Sequence, residues 1–151
     1  MKRFSFKFDR LKKIRERDED GALLRLALAQ TDLAREQKLL AELVESVANS
    51  GSRLLDLVKD GAARGLLGNA DAYRQAALVA AQRQKAAAAR ASVLVSARQK
   101  EFEQAHQKAE AVRMLRDKRR TEHVRFSLRE TQKELDEIGG RGASRKASRG
   151  M

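Results

Sequence analysis

Cysteine, proline and tryptophan are absent from this chain, and aromatic residues make up only 4% of it. Without cysteine there can be no disulfide and no thiolate metal site, a usage that fits a reducing compartment. Few aromatics, 36% charged residues and a hydrophobic share made largely of alanine are unsuited to a compact core. No run approaches the ~20 apolar residues that a bilayer span needs. The opening Met1-Lys2-Arg3-Phe4-Ser5-Phe6-Lys7-Phe8 carries charge with no apolar stretch behind it, so a signal peptide is not expected. These absences lead us to expect a soluble, cytoplasmic chain.

What is present is a helix-forming alphabet of Ala, Leu, Glu, Lys, Arg and Gln, residues that lose little side-chain freedom in a helix. The 151 residues carry a net charge of +12, which raises the question of an anionic partner. That charge is not gathered into one patch. Residues 61–98 carry six bases and one acid, whereas residues 121–138 carry three bases and five acids. The last thirteen residues, 139–151, carry four bases and no acid.

Apolar residues recur at heptad spacing through the first half. Leu26, Leu33, Leu40, Val47 and Leu54 stand seven apart, with Ala29, Leu43 and Leu57 between them. Glu36 and Ser50 interrupt that second row. Five heptads in one phase predict a coiled coil. Phe4, Phe8, Leu11 and Ile14 form an earlier stripe in another phase, so a local shift is expected across Arg15–Gly21. Three glycines and three Asx residues within Asp60–Asp71 predict a helix stop, a turn, and a new helix capped by Asn69 or Asp71. A short turn forces the helices antiparallel. Centring it near residue 65 would set Leu40 opposite the region of Ala91, and Phe4 and Phe8 at the level of Val124–Phe126.

The expected fold is therefore all-α: two long helices forming an antiparallel coiled-coil hairpin over 1–138, with a disordered, flexible basic tail over 139–151. Helix one is placed at about 5–59, the turn at about 60–70 and helix two at about 71–138. Beyond about residue 130 the second helix has nothing opposite it.

No convergent site for catalysis is expected in such a hairpin, and the chain is read as a non-enzyme. His106 and His123 lie 17 apart, without metal-ligand spacing, and are read as exposed or seam-edge histidines. No Gly-x-x-x-x-Gly-Lys-[Ser/Thr] phosphate loop occurs. No catalytic, cofactor-binding or metal-ligating residue is assigned. The basic run Arg113–Arg120 reads as a solvated helix face with internal pairing. Nothing there interleaves aromatics as single-stranded nucleic acid prefers. The alternating Phe4-x-Phe6-x-Phe8 with Lys2, Arg3 and Lys7 reads as aromatics folding onto the Phe126 level, or as an exposed anchor for a partner.

Both ends of the chain resemble the FliJ family, the helical hairpin protein of the bacterial flagellar type III export apparatus. At the start, Phe4-x-Phe6-x-Phe8-x-Arg10-Leu11-x-x-Ile14-Arg15-Glu16 is similar to that family's aromatic-led first helix. Near the end, Leu115-Arg116-Asp117-Lys118-Arg119-Arg120 leads into Gln132-Lys133-Glu134-Leu135-Asp136-Glu137, similar to its closing signature. Thr131 stands where the family often has Glu, and the glycine-rich tail lies outside the signature. The resemblance implies a cytoplasmic, non-catalytic stalk, peripherally associated with the inner face of the cell membrane at the export apparatus. It implies three partners: the hexameric flagellar export ATPase, the cytoplasmic part of the membrane export gate, and export chaperones. Neither a small-molecule substrate nor nucleic acid is among them. The residues it puts forward for partner binding are Phe4, Phe8, Leu11, Arg119, Arg120, Phe126, Gln132, Leu135 and Asp136. Gate and chaperone contacts fall in the central region, where no motif carries over. Two alternatives stand beside this reading. One is a basic helical hairpin that binds nucleic acid or an anionic membrane surface, and the other is the equivalent stalk of a virulence type III secretion system.

Overall fold

The computed structural model describes residues 3–150. Two helices account for almost all of them: α1, Asp9–Lys59, and α2, Arg64–Arg149. No strand occurs among the described residues. The chain divides into two compact units, each taking one segment from either helix. The first joins residues 3–18 with 105–150, and the second comprises residues 19–104. Their boundary in α1 falls at 18/19, within the stretch where the heptad phase changes. The helix itself runs through that stretch unbroken.

Within the second unit the helices pair antiparallel. Arg25 reaches Glu101 at 3.7 Å, Gln84 donates to the Glu36 carbonyl at 3.0 Å, and Ser46 lies 3.5 Å from the Tyr73 hydroxyl. The buried residues here are Ala22, Leu26, Ala29, Ser50, Ala77 and Ala88. All the heptad residues from Leu33 to Leu57 named above are half-buried. Two helices seldom surround a large side chain, so apart from Ser50 only alanines and Leu26, at 8% exposure, leave the solvent in this unit. The two polar interruptions are satisfied: Ser50 donates to Val47 O at 2.8 Å, and the Glu36 carboxylate also accepts from Gln84. A buried polar group without such a partner would be costly.

The turn is tighter and earlier than expected. Gly61 adopts φ +68°, its N–H bonds to Val58 O at 3.2 Å, and Ala62 N–H reaches back to Leu57 O at 3.0 Å. These two bonds make a Schellman cap with glycine in its left-handed position. Only Asp60–Ala63 separate the helices. Leu66 and Leu67 N–H both bond to Ala63 O, so α2 starts at Arg64 and not at 71. Asn69 and Asp71 therefore lie inside α2 and cap nothing. Gly65 and Gly68 do not stop it, because a glycine costs a helix only ~1 kcal/mol and proline is what breaks one. The tight turn also moves the register: Glu36 meets Gln84, and Leu43 shares a groove with Ala76, Ala80 and Gln84. Leu40 accordingly faces the region near residue 80, not Ala91. Replacing Gly61 by Ala should cost about 1–2 kcal/mol, since a Cβ disfavours the left-handed region. The same change at Gly65 should instead be neutral or stabilising in thermal melts.

The residues past 138 also depart from expectation. They continue α2 as helix to Arg149, exposed throughout, in place of a disordered tail. The glycines at 139, 140 and 142 weaken this helix without breaking it, and each stands in open space, with no atom within 4 Å of a Cβ built there.

Candidate functional site

All nine residues put forward for partner binding fall in the first unit. There the chain before α1 carries Phe4 and Phe6 outside any helix, followed by a turn at Lys7–Phe8. Asp9 N–H bonds to Phe6 O at 3.1 Å, and Lys12 N–H to Phe8 O at 2.9 Å, which fixes where the helix begins. The Asp9 carboxylate in the first turn suits the positive end of the helix dipole.

This arrangement folds the aromatics onto α2. Phe4 meets His123 edge-on, ring centroids 5.6 Å apart, and Phe6 meets Phe8 in the same manner at 5.9 Å. Edge-to-face pairing is the geometry aromatic quadrupoles favour. Phe4, Phe6, Phe8, Arg119, His123 and Phe126 line an open groove of about 440 Å³. Arg119, His123 and Phe126 share it because spacings of four and three put them on one face of α2. Phe126 remains 64% exposed beside this groove. Arg119 pairs with Glu122 at 3.3 Å, an exposed contact of little energetic weight.

The other candidates do not converge there. Arg120 lines a separate concavity of about 530 Å³ with Asp117, Thr121, Val124 and Arg125. Gln132 donates to Asp136 at 2.9 Å along the helix, and Leu135, next to Asp136 in the chain, is exposed. Leu11 is exposed too, together with Phe8 and Ile14. The early apolar stripe is thus not the inner face of α1. In this unit that inner side is polar: Lys12, Arg15 and Glu16 are half-buried, and on α2 Ala109 is only 1% exposed. Glu16 takes an ion pair from Lys12 at 3.0 Å and another from Arg113 at 3.4 Å.

The Lys12 hydrogen bond, with that cation's charge and Arg113 added, holds the Glu16 carboxyl below its ordinary value against a smaller opposing desolvation. A carboxyl whose pKa is lowered on folding contributes stability above its unfolded pKa, and that contribution fades as pH falls through the folded one. The Glu16 side-chain carbon signal should therefore titrate below the ordinary glutamate range, moving upward in Arg113→Met and further in Lys12→Met. Midpoints unchanged in both variants would refute the pairing.

The sequence reading missed His123 and Phe6 as groove residues. The signal for His123 was its i−3 spacing from Phe126 and i+4 spacing from Arg119. In the second unit a larger groove of about 580 Å³ lies beside the turn, lined by residues that include Glu42, Glu45, Leu57, Leu66 and Tyr73. No motif pointed to it. Among the described residues no group of three or more His, Asp or Glu could hold a metal ion.

Set against known proteins, residues 4–148 match the family model described as the flagellar FliJ protein. The chain belongs to the FliJ family. That match takes in both aromatic and closing motifs and nearly the whole of α2, including the glycine-containing stretch read as a tail. No curated protein and no solved structure matches the chain significantly. As a FliJ-family protein it is a component of the flagellar export apparatus, serving protein transport. None of its described helices is long and apolar enough to cross a membrane.

Proposed function

We propose that this FliJ-family chain is a stalk of the export apparatus whose first unit engages the hexameric export ATPase. The observation that carries this reading is the groove built from Phe4, Phe6, Phe8, His123 and Phe126, open to solvent and edged by Arg119. Aromatic and arginine side chains supply most of the affinity where proteins meet. Exposed Phe8, Leu11 and Ile14 extend the apolar surface on α1, while Arg120 and Leu135 add contacts on α2. A surface of this kind suits a ring lumen that offers acidic and apolar contacts together.

The same chain links the ATPase to the cytoplasmic part of the export gate and to export chaperones, at the inner face of the membrane. The groove beside the turn, with Glu42, Glu45 and Tyr73, is the central surface to test for those partners. Oligomerisation and hydrolysis by the cognate export ATPase, measured with and without this chain, test the stalk role. Faster assembly and hydrolysis are expected, and the absence of both effects together with absence of binding would overturn it.

A further inference from the structure

In the first unit the inner face of α2 carries His123, Ser127 and Glu130, all half-buried. The same alternation of four and three continues along the helix as Glu134, Glu137 and Arg141, then Arg145 and Arg149 at one-turn intervals. From 131 to 150 every residue is exposed, so a helix-pairing face runs on with nothing covering it. Glu130 pairs with Lys133 at 3.2 Å. Glu134, Glu137, Arg141, Arg145 and Arg149 form no ion pair among the described residues.

Charge along this face is sorted by sign. Residues 130–138 hold four acids and one lysine, a net −3, whereas 139–149 hold four bases and no acid, a net +4. A helix that presents first one sign and then the other is complementary to itself only when reversed. We propose that this face binds a second copy of the chain, the two α2 segments antiparallel about a twofold axis at Gly139–Gly140. Glu130 then faces Arg149 of the second copy, Glu134 faces its Arg145, and Glu137 faces its Arg141. By symmetry each contact occurs twice, as in any isologous interface. The two Ile138 side chains, 67% exposed in the single chain, come together beside the axis and supply its apolar contact.

Other occupants fit less of the pattern. A parallel copy sets glutamate against glutamate and arginine against arginine. A phosphate-bearing surface, whether lipid or nucleic acid, attracts 141–149 but repels Glu130, Glu134 and Glu137. Only the reversed copy satisfies both halves. Being built from exposed ion pairs, the contact is weak and sensitive to salt.

Sedimentation of the full chain should show a monomer–dimer equilibrium at about 50 mM salt, weakened roughly tenfold or more at about 500 mM, where screening shortens the reach of each charge. Arg141→Glu, Arg145→Glu and Arg149→Glu together should abolish the dimer. Adding Glu130→Arg, Glu134→Arg and Glu137→Arg should restore it, because the exchanged order keeps the same self-complementarity. With no native cysteine, single Ile138→Cys chains should cross-link to one another on mild oxidation, and Glu130→Cys chains should not. A wild-type chain that stays monomeric at low salt overturns the proposal. So does a charge exchange that fails to restore the dimer, or equal cross-linking at both positions, which would mark a parallel pair.

Discussion

Leu26→Ala should lower stability by about 2–3 kcal/mol, the largest loss expected from any single truncation in the second unit. The figure sits at the low end for buried leucines, because the seam lies between two helices and leaves Leu26 at 8% exposure. Neighbouring Ala22 and Ala29 cannot collapse into the space, having no side chain beyond Cβ to move. Leu24 is the internal control: it lies on the outer side of α1, 61% exposed, and its replacement by Ala should shift stability by no more than ~0.5 kcal/mol. Urea unfolding followed by circular dichroism measures both. Equal losses at the two positions would mean that the seam does not run through Leu26.

On the functional side, Phe4→Ala with Phe8→Ala should weaken engagement of the export ATPase tenfold or more, about 1.4 kcal/mol. Arg119→Glu with Arg120→Glu should do the same. The first pair removes Phe4, whose ring packs on His123, and Phe8, which lines the same groove. The second pair reverses charge beside that groove and in the adjoining concavity. Removing residues 141–151 should leave ATPase binding within about twofold while abolishing any self-association. Titration of labelled chain against the ATPase separates these outcomes. Equal losses from all three changes would show that the groove has no special part in the contact. Since the truncation acts on the dimer alone, failure of one proposal leaves the other standing.

Much of this architecture was legible in local spacing. The row from Leu26 to Leu54 marked the face of α1 that pairs, and even its two polar interruptions lie on that face, each with its own hydrogen-bond partner. The phase change near Gly21 coincided with a boundary between compact units. Boundaries set by glycine were less legible. Three glycines within eight residues suggested a long turn, but only Gly61 needs the left-handed conformation and the other two are accommodated in helix. The glycines after Ile138 misled in the same way, since glycine weakens a helix without forbidding one.

The candidate site was legible in part. Phe4 and Phe8 were expected at the level of Phe126, and all three line one groove, which Arg119 joins. The stripe continuing through Phe8, Leu11 and Ile14 is exposed, because Lys12 and Glu16 take the inner face through the tie of Glu16 to Arg113. A hydrophobic stripe on one helix says which residues could be buried. Which of them are buried depends on what stands opposite, and here Arg113 stands opposite Glu16.

The sequence alone determined the fold class, the antiparallel pairing and the family, because helix propensity, heptad phase and short motifs are properties of neighbouring residues. Only the tertiary structure decided the register, the polar inner face of the first unit, and the joining of His123 to the phenylalanine groove. Each of those is a contact between residues far apart in the chain. A turn four residues long in place of about eleven was enough to move the partners nearest it, such as Glu36 and Gln84, by about ten residues across the seam.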